Sequence, residues 1–136
     1  MASPLHKSIA STILIAEDDA QYRRLVEKAF LANHYGGTII FANDGQETLE
    51  LLNSHSAKPD IIMLDLNMPK ISGGQVLYEI KATSKFKDTP VYILTASNSV
   101  LDERVCVLAE NIYVKPVDFI SLIKITGEIL KLKILG

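Results

Sequence analysis

The sequence predicts an α/β fold of five βα units wound around a parallel sheet, and two observations carry that prediction. Five short apolar runs alternate with stretches of helical periodicity along the 136 residues, and the runs are bounded by polar residues, Gly or Pro. Runs of this kind read as strands buried on both faces, the pattern of a parallel sheet covered by right-handed crossover helices. Composition agrees: 48% hydrophobic residues in a chain this long give one well-buried core and too few residues for two ordinary domains.

The first strand is expected at 12–16, closing on Glu17, Asp18 and Asp19. Tyr22, Leu25, Val26, Ala29 and Phe30 then recur at i, i+3, i+4, i+7 and i+8, with Arg23, Arg24, Glu27 and Lys28 on the other side, which predicts an amphipathic helix. A second strand at 38–42 ends in Asn43, Asp44 and Gly45. Asp44 with Glu47 resembles a capping box for the helix that carries Leu49 and Leu52. The third strand, 60–64, runs into Asp65, Leu66, Asn67, Met68 and Pro69. Gly73 is expected to serve turn geometry before a third helix marked by Val76, Leu77 and Ile80. A fourth strand at 91–95 precedes a helix at about 99–108, whose Val100, Leu101, Val105, Val107 and Leu108 surround more than one face. The fifth strand, 112–114, leads to a last helix that starts near Asp118 and repeats Phe119, Leu122, Ile123, Thr126, Ile129 and Leu130. The expected organisation is a single domain over 1–136, with a core at about 11–132 and an N-terminal tail at 1–10.

Several function classes are disfavoured. The net charge of -2 comes with no run of five or more Lys or Arg, so neither nucleic acid nor an anionic membrane is an expected partner. The apolar stretches are far too short to span a bilayer and the N-terminus lacks a signal-type apolar segment, so a soluble, cytoplasmic protein is expected. The single cysteine, Cys106, rules out an internal disulfide framework and is expected as a small buried side chain. His6, His34 and His55 have no metal-ligand spacing and are assigned no role.

For five strands the flavodoxin-like order 2-1-3-4-5 is expected, a doubly wound (βα)5 sheet. Its winding reverses between strands 1 and 3, and ligands bind beyond the carboxyl ends of those strands. Those ends carry Glu17, Asp18 and Asp65. Crowded carboxylates repel one another unless a cation or proton sits among them. Further along the same edge come Thr95, the small Ala96, and Lys115 before Pro116. One or two carboxylates plus a phosphate suit Mg²⁺, which prefers oxygen ligands. Asp65 can then act as a nucleophile toward phosphorus, with Lys115 offsetting charge on the phosphoryl oxygens and Thr95 donating a hydrogen bond to one.

Taken in order, Ile15-Ala16-Glu17-Asp18-Asp19, Met63-Leu64-Asp65-Leu66-Asn67-Met68-Pro69, Gly73, Ile93-Leu94-Thr95-Ala96 and Val114-Lys115-Pro116 resemble the receiver domain of two-component response regulators, over roughly residues 11–132. The resemblance implies that Asp65 accepts a phosphoryl group from a sensor histidine kinase or histidine phosphotransfer protein. It implies that Asp18, Asp65 and the backbone carbonyl of Asn67 bind Mg²⁺ while Glu17 acts through water; Asp19 is the alternative ligand, or a cap of the following helix. It also implies that Thr95 and Ala96 are the switch pair, that Lys115 is the phosphoryl partner, and that the Lys115–Pro116 peptide is cis. The protein is expected to be a stand-alone regulator and not a classical enzyme, its own catalysis limited to phosphoryl transfer and autodephosphorylation. Its default output surface is helix 4, strand 5 and helix 5, where a downstream protein or a second copy would dock.

The chain departs from the family pattern in two places. The interval from Thr95 to Lys115 is short, with Leu108-Ala109-Glu110-Asn111 where a Gly-Ala pair is usual, which implies a shortened helix 4 or a tightened loop. Ile112 stands where receivers carry a rotating Tyr or Phe. Tyr113 is adjacent, but a shift of one residue in a strand points a side chain to the opposite face. Three rival readings differ from phosphoacceptance. A pseudo-receiver would bind partners without phosphorylation. A flavin carrier of the same fold would want a Ser/Thr/Gly loop after strand 1 in place of the acids. A haloacid-dehalogenase-type phosphatase would need a second acid where Asn67 stands.

Overall fold

Ile, Val and Leu on short segments flanked by turn residues produce five parallel strands. In the computed structural model, which describes residues 10–54, 58–96, 103–116 and 118–135 with side chains through Lys131, they are β1 (Thr12–Ala16), β2 (Thr38–Ala42), β3 (Ile61–Leu64), β4 (Val91–Thr95) and β5 (Asn111–Val114). The sheet order is β2-β1-β3-β4-β5, with every pairing parallel. The expected fold class is therefore present, and strand bounds differ from expectation by a residue at the starts of β3 and β5. The helices are α1 (Ala20–Ala32), α2 (Gly45–Asn53), α3 (Gly73–Ala82), α4 (Glu103–Leu108) and α5 (Phe119–Leu135).

Alternation along each strand divides the core into two layers. Leu14, Ile62, Leu64 and Ile93 face α2, α3 and α4, where Leu52, Val76, Leu77 and Val105 meet them. Ile13, Ile15, Ile61 and Met63 face α1 and α5, against Phe30, Leu122 and Ile129. All four residues of β3 are buried, as expected of the central strand of a sheet covered on both sides.

Polar side chains start the helices where the sequence places them. Asp19 accepts from Gln21 N and Tyr22 N at the start of α1. Asp44 accepts from Glu47 N at 2.8 Å, and Glu47 Oε1 accepts in turn from Asn43 N, one residue before the cap. Asp118 holds Ser121 through both N–H and hydroxyl. These caps satisfy donors that a helix leaves without internal partners. Asp60 does the equivalent for a strand, accepting from Ser11 N, Ser11 Oγ and Thr12 N. Ala10 beside it is buried.

Three expectations about packing need correction. Cys106 is exposed, because Val105 takes the one inward position on the short α4 and the next residue turns away from it. Leu25 and Phe119 lie on predicted apolar faces yet are 41% and 38% exposed, since Val26, Ala29 and Phe30 fill α1's contact and Leu122, Thr126 and Ile129 fill that of α5. Helix α4 is described only over Glu103–Leu108; Val100 and Leu101 lie outside the described residues, as do His6 and His55. His34 follows α1 with a left-handed backbone, φ 62°. No described helix is long and apolar enough to cross a membrane.

Candidate functional site

The sheet itself builds the site. Ala16 pairs with Leu64, so the residues that follow them, Glu17 and Asp65, emerge side by side at the carboxyl ends of β1 and β3. The ladder runs one step further: Asp65 N donates to Ala16 O and Glu17 N to Ala42 O, both at 3.1 Å. Both carboxylates are thereby fixed by backbone, and both are nearly fully buried, at 4% for Glu17 and 5% for Asp65, while Asp18 is exposed beside them. At the other end of the site Lys115 N donates to Thr95 O at 2.7 Å, so the last turns of β4 and β5 are joined as well.

Every oxygen of Asp65 has a partner. Oδ1 accepts from Asn67 N at 3.0 Å and from the Thr95 hydroxyl at 3.2 Å; Oδ2 accepts from Lys115 Nζ at 2.9 Å. The Asn67 amide in turn donates to Thr95 Oγ1 at 3.3 Å. Lys115 Nζ also reaches Glu17 Oε1 at 2.5 Å, bridging the two buried carboxylates. Its ammonium stands 4.6 Å from the centroid of the Tyr22 ring. Glu17 is held from behind, its Oε2 accepting from Asp19 N and its carbonyl from Arg23 Nη1 at 2.7 Å.

The loop after β3 is held so that Asp65 is presented and Asn67 exposed: Leu66 and Met68 point into the core. Gly73 N donates to Leu66 O, and a Cβ on Gly73 would sit 2.2 Å from Asp65 O. Only a residue without a side chain allows the start of α3 to approach the acidic loop this closely. Lys70 in the same loop has φ 67° and pairs with Asp44 across 3.2 Å.

Charge in the site is unbalanced. Burial pushes the Glu17 carboxyl up to about 7, against hydrogen bonds from Lys115 and Asp19 N–H that favour its ionised form, and the neighbouring Asp65 adds repulsion. Burial alone would lower Lys115, but its hydrogen bonds with Glu17 and Asp65 outweigh that and raise it. Burial likewise pushes the Tyr22 hydroxyl up to about 12. One oxygen from each of Glu17, Asp18 and Asp65 lies within 4.8 Å of the others, an all-oxygen set of the kind a hard divalent cation takes. A donor set with a buried carboxylate this reluctant to ionise fits such a cation, which would favour the charged form.

The structure brings together Glu17, Asp18, Asp65, Asn67, Thr95 and Lys115. Ala96 directly follows β4, and Pro116 follows Lys115 after β5, both half-buried. Asp19 caps α1, the alternative its position offered. No cis peptide occurs among the described residues, so Lys115–Pro116 has the lower-energy trans form, contrary to expectation. Ile112 packs with the α2–α4 layer and Tyr113 with the α1–α5 layer, where it stacks on Tyr92 at 6.5 Å; the two side chains do point to opposite faces. Sequence reasoning missed Tyr22 and Arg23 as neighbours of the site. Both fall in the first turn after the acidic cluster, which is the signal that could have found them.

Comparison with known proteins agrees with this geometry. The chain is 32% identical over 123 residues to a probable methanogenesis regulatory protein, FilR2, of Methanothrix harundinacea, covering 86% of this chain and 79% of that one. It spans about a third of the length of several other curated relatives. Among solved structures it resembles the phosphorylated cyanobacterial phytochrome response regulator RcpA (27% identity, 88% and 90% of the chains, TM-score 0.76) and TrrA of Thermotoga maritima in complex with Mg²⁺ and BeF (30%, 88% and 99%, 0.72). The family model of the response regulator receiver domain matches residues 13–126. With its strand order, its acidic cluster and the Thr and Lys at the same sheet edge, this chain belongs to the response regulator receiver domain family.

Proposed function

We propose that Asp65 accepts a phosphoryl group from a histidine kinase or histidine phosphotransfer protein, in a Mg²⁺-dependent reaction, and that the phosphorylated form signals through an altered surface. One observation carries this reading. Asp65 is a buried carboxylate fixed at a strand end, with an ammonium, a hydroxyl and a backbone N–H already converging on its two oxygens.

In the transfer an Asp65 oxygen forms the new O–P bond as the bond from phosphorus to the donor imidazole nitrogen breaks; that nitrogen keeps the electron pair and takes up a proton. Lys115 is near enough to follow the charge from carboxylate to phosphoryl oxygens, and the Thr95 hydroxyl can turn from Asp65 Oδ1 to one of those oxygens. The small Ala96 leaves room for that approach. Glu17, Asp18, Asp65 and the Asn67 carbonyl are the groups that would hold Mg²⁺, which when bound supplies charge neutralisation for the transferring group. Hydrolysis reverses the covalent step: water adds to phosphorus, and Asp65 leaves as a carboxylate with release of phosphate. Support comes from the all-oxygen cluster and from relatives described as phosphorylated or as holding Mg²⁺ with BeF.

A downstream protein or a second copy would read the change on the α4–β5–α5 surface, since Thr95 ends β4 and Lys115 follows β5, the strands that flank α4. The test is incubation with Mg²⁺ and acetyl phosphate followed by intact mass measurement. A single phosphate adduct that is absent from Asp65→Ala is the expected result. No adduct on the wild type, or an unchanged adduct on that variant, would overturn the reading.

A further inference from the structure

We propose that Tyr22 is a positioning residue for this chemistry, its ring face holding the Lys115 ammonium against Asp65. The proposal rests on the phosphoacceptor reading of Asp65. A cation within about 6 Å of an aromatic centroid is attracted by the ring quadrupole, and Lys115 Nζ lies 4.6 Å from that of Tyr22.

Three electron-rich surfaces meet at this ammonium: Glu17 Oε1, Asp65 Oδ2 and the Tyr22 ring. The ring differs from the other two in kind. Both carboxylates belong to the set that would hold a divalent cation, and the Asp65 carboxylate loses its charge once it becomes an acyl phosphate. The ring is neutral and keeps its contact through both events. A lysine on a flexible four-carbon stem loses rotamer freedom when it is ordered, and a fixed aromatic wall narrows that freedom before the reaction begins.

The ring's own position is well determined. The Asp19 carboxylate accepts from Tyr22 N at 3.3 Å, and the side chain packs against the α1–α5 core layer. Its hydroxyl is buried and has no hydrogen-bond partner among the described residues. What Tyr22 gives the site is therefore its π face and not its O–H. A leucine would fill the same place in the apolar register of α1 and lose the contact with Lys115.

The test uses the full chain with Tyr22→Phe, Tyr22→Leu and Tyr22→Met, and reads two quantities: the rate of adduct formation from acetyl phosphate with Mg²⁺, and the chemical shifts of the Lys115 side-chain methylene protons, which a facing ring displaces upfield. Tyr22→Phe should match the wild type in both. Tyr22→Leu, or Tyr22→Met should the leucine variant not fold, should lose the upfield displacement and slow phosphorylation about three- to tenfold. Wild-type rate and unmoved Lys115 shifts in the aliphatic variants would overturn the proposal, as would equal slowing in Tyr22→Phe. If the wild type takes no phosphate, the phosphoacceptor reading fails separately, and the Lys115 shifts alone decide whether the ring holds the ammonium.

Discussion

Helices α1 and α5 run 13 and 17 residues along one face of the sheet and are joined by a side chain: Asn33 Nδ2 donates to Ala29 O in its own helix and to Ile123 O and Thr126 Oγ1 in the other. Helix α4, on the opposite face between β4 and β5, is described over 6 residues and buries Val105 alone among them, while Val107 is 80% exposed. Strand β5 lies at the sheet edge and has no fully buried residue. The site draws on both regions. Glu17 and Asp65 directly follow the buried strands β1 and β3, and Thr95 closes the equally buried β4, whereas Lys115 follows β5 on the lightly packed flank. The difference teaches a division of labour: both carboxylates and the Thr95 hydroxyl stand at the ends of buried strands, and Lys115, the cation that bridges the carboxylates, sits where rearrangement costs least. Segments with few buried contacts open most readily, so α4 and β5 amides should exchange hydrogen before those of α1 and α5.

Substitutions can break or sharpen the contrast. Phe30 on α1 is fully buried, and Phe30→Ala should cost about 3–5 kcal/mol in denaturant unfolding. Asn33→Ala should cost about 1–3 kcal/mol, because it removes the tie between α1 and α5 and leaves polar groups beneath it underserved; a neutral effect would remove the reason for calling that flank tied. Within the fixed part of the site, a proton and Mg²⁺ would compete for Glu17 on the proposed reading. Burial pushes the Glu17 carboxyl up to about 7, so Mg²⁺ affinity should be nearly constant above that pH and fall by up to about tenfold per unit below it, and Glu17→Gln should abolish the dependence. Mg²⁺ titrations at about pH 6 and about pH 8 check this; equal affinities in the wild type would contradict it. The smallest effect belongs to α4, where Val107→Ala should change stability by no more than about 0.5 kcal/mol.

The same contrast governs what could be read from residues alone. Buried parallel strands leave unbroken apolar runs, so β1, β3 and β4, with the acids that follow the first two, were legible, and strand order followed from five βα units. The Asp44 cap was legible because its chemistry is local. Helix α4 was legible in place but not in facing, since a helix that buries one of its described residues imposes no clean period on its neighbours, and Cys106 was misread in consequence. The ring of Tyr22 against Lys115 joins residues far apart in the chain. From the sequence it was one more apolar position on α1, because nothing in that period distinguishes a ring that faces the core from one that faces a cation. The bridge from Lys115 to both Glu17 and Asp65 was equally out of reach: position at the edge was legible, and pairing there depends on side-chain reach.

The central claim is that one carboxylate, Asp65, carries the phosphoryl group. Borohydride reduces an acyl phosphate and so marks the carboxyl that bore it. After reaction with acetyl phosphate and Mg²⁺, reduction and peptide mass mapping should place that mark on Asp65. A mark on Glu17, Asp18 or Asp19, or none on any of them, would contradict the account.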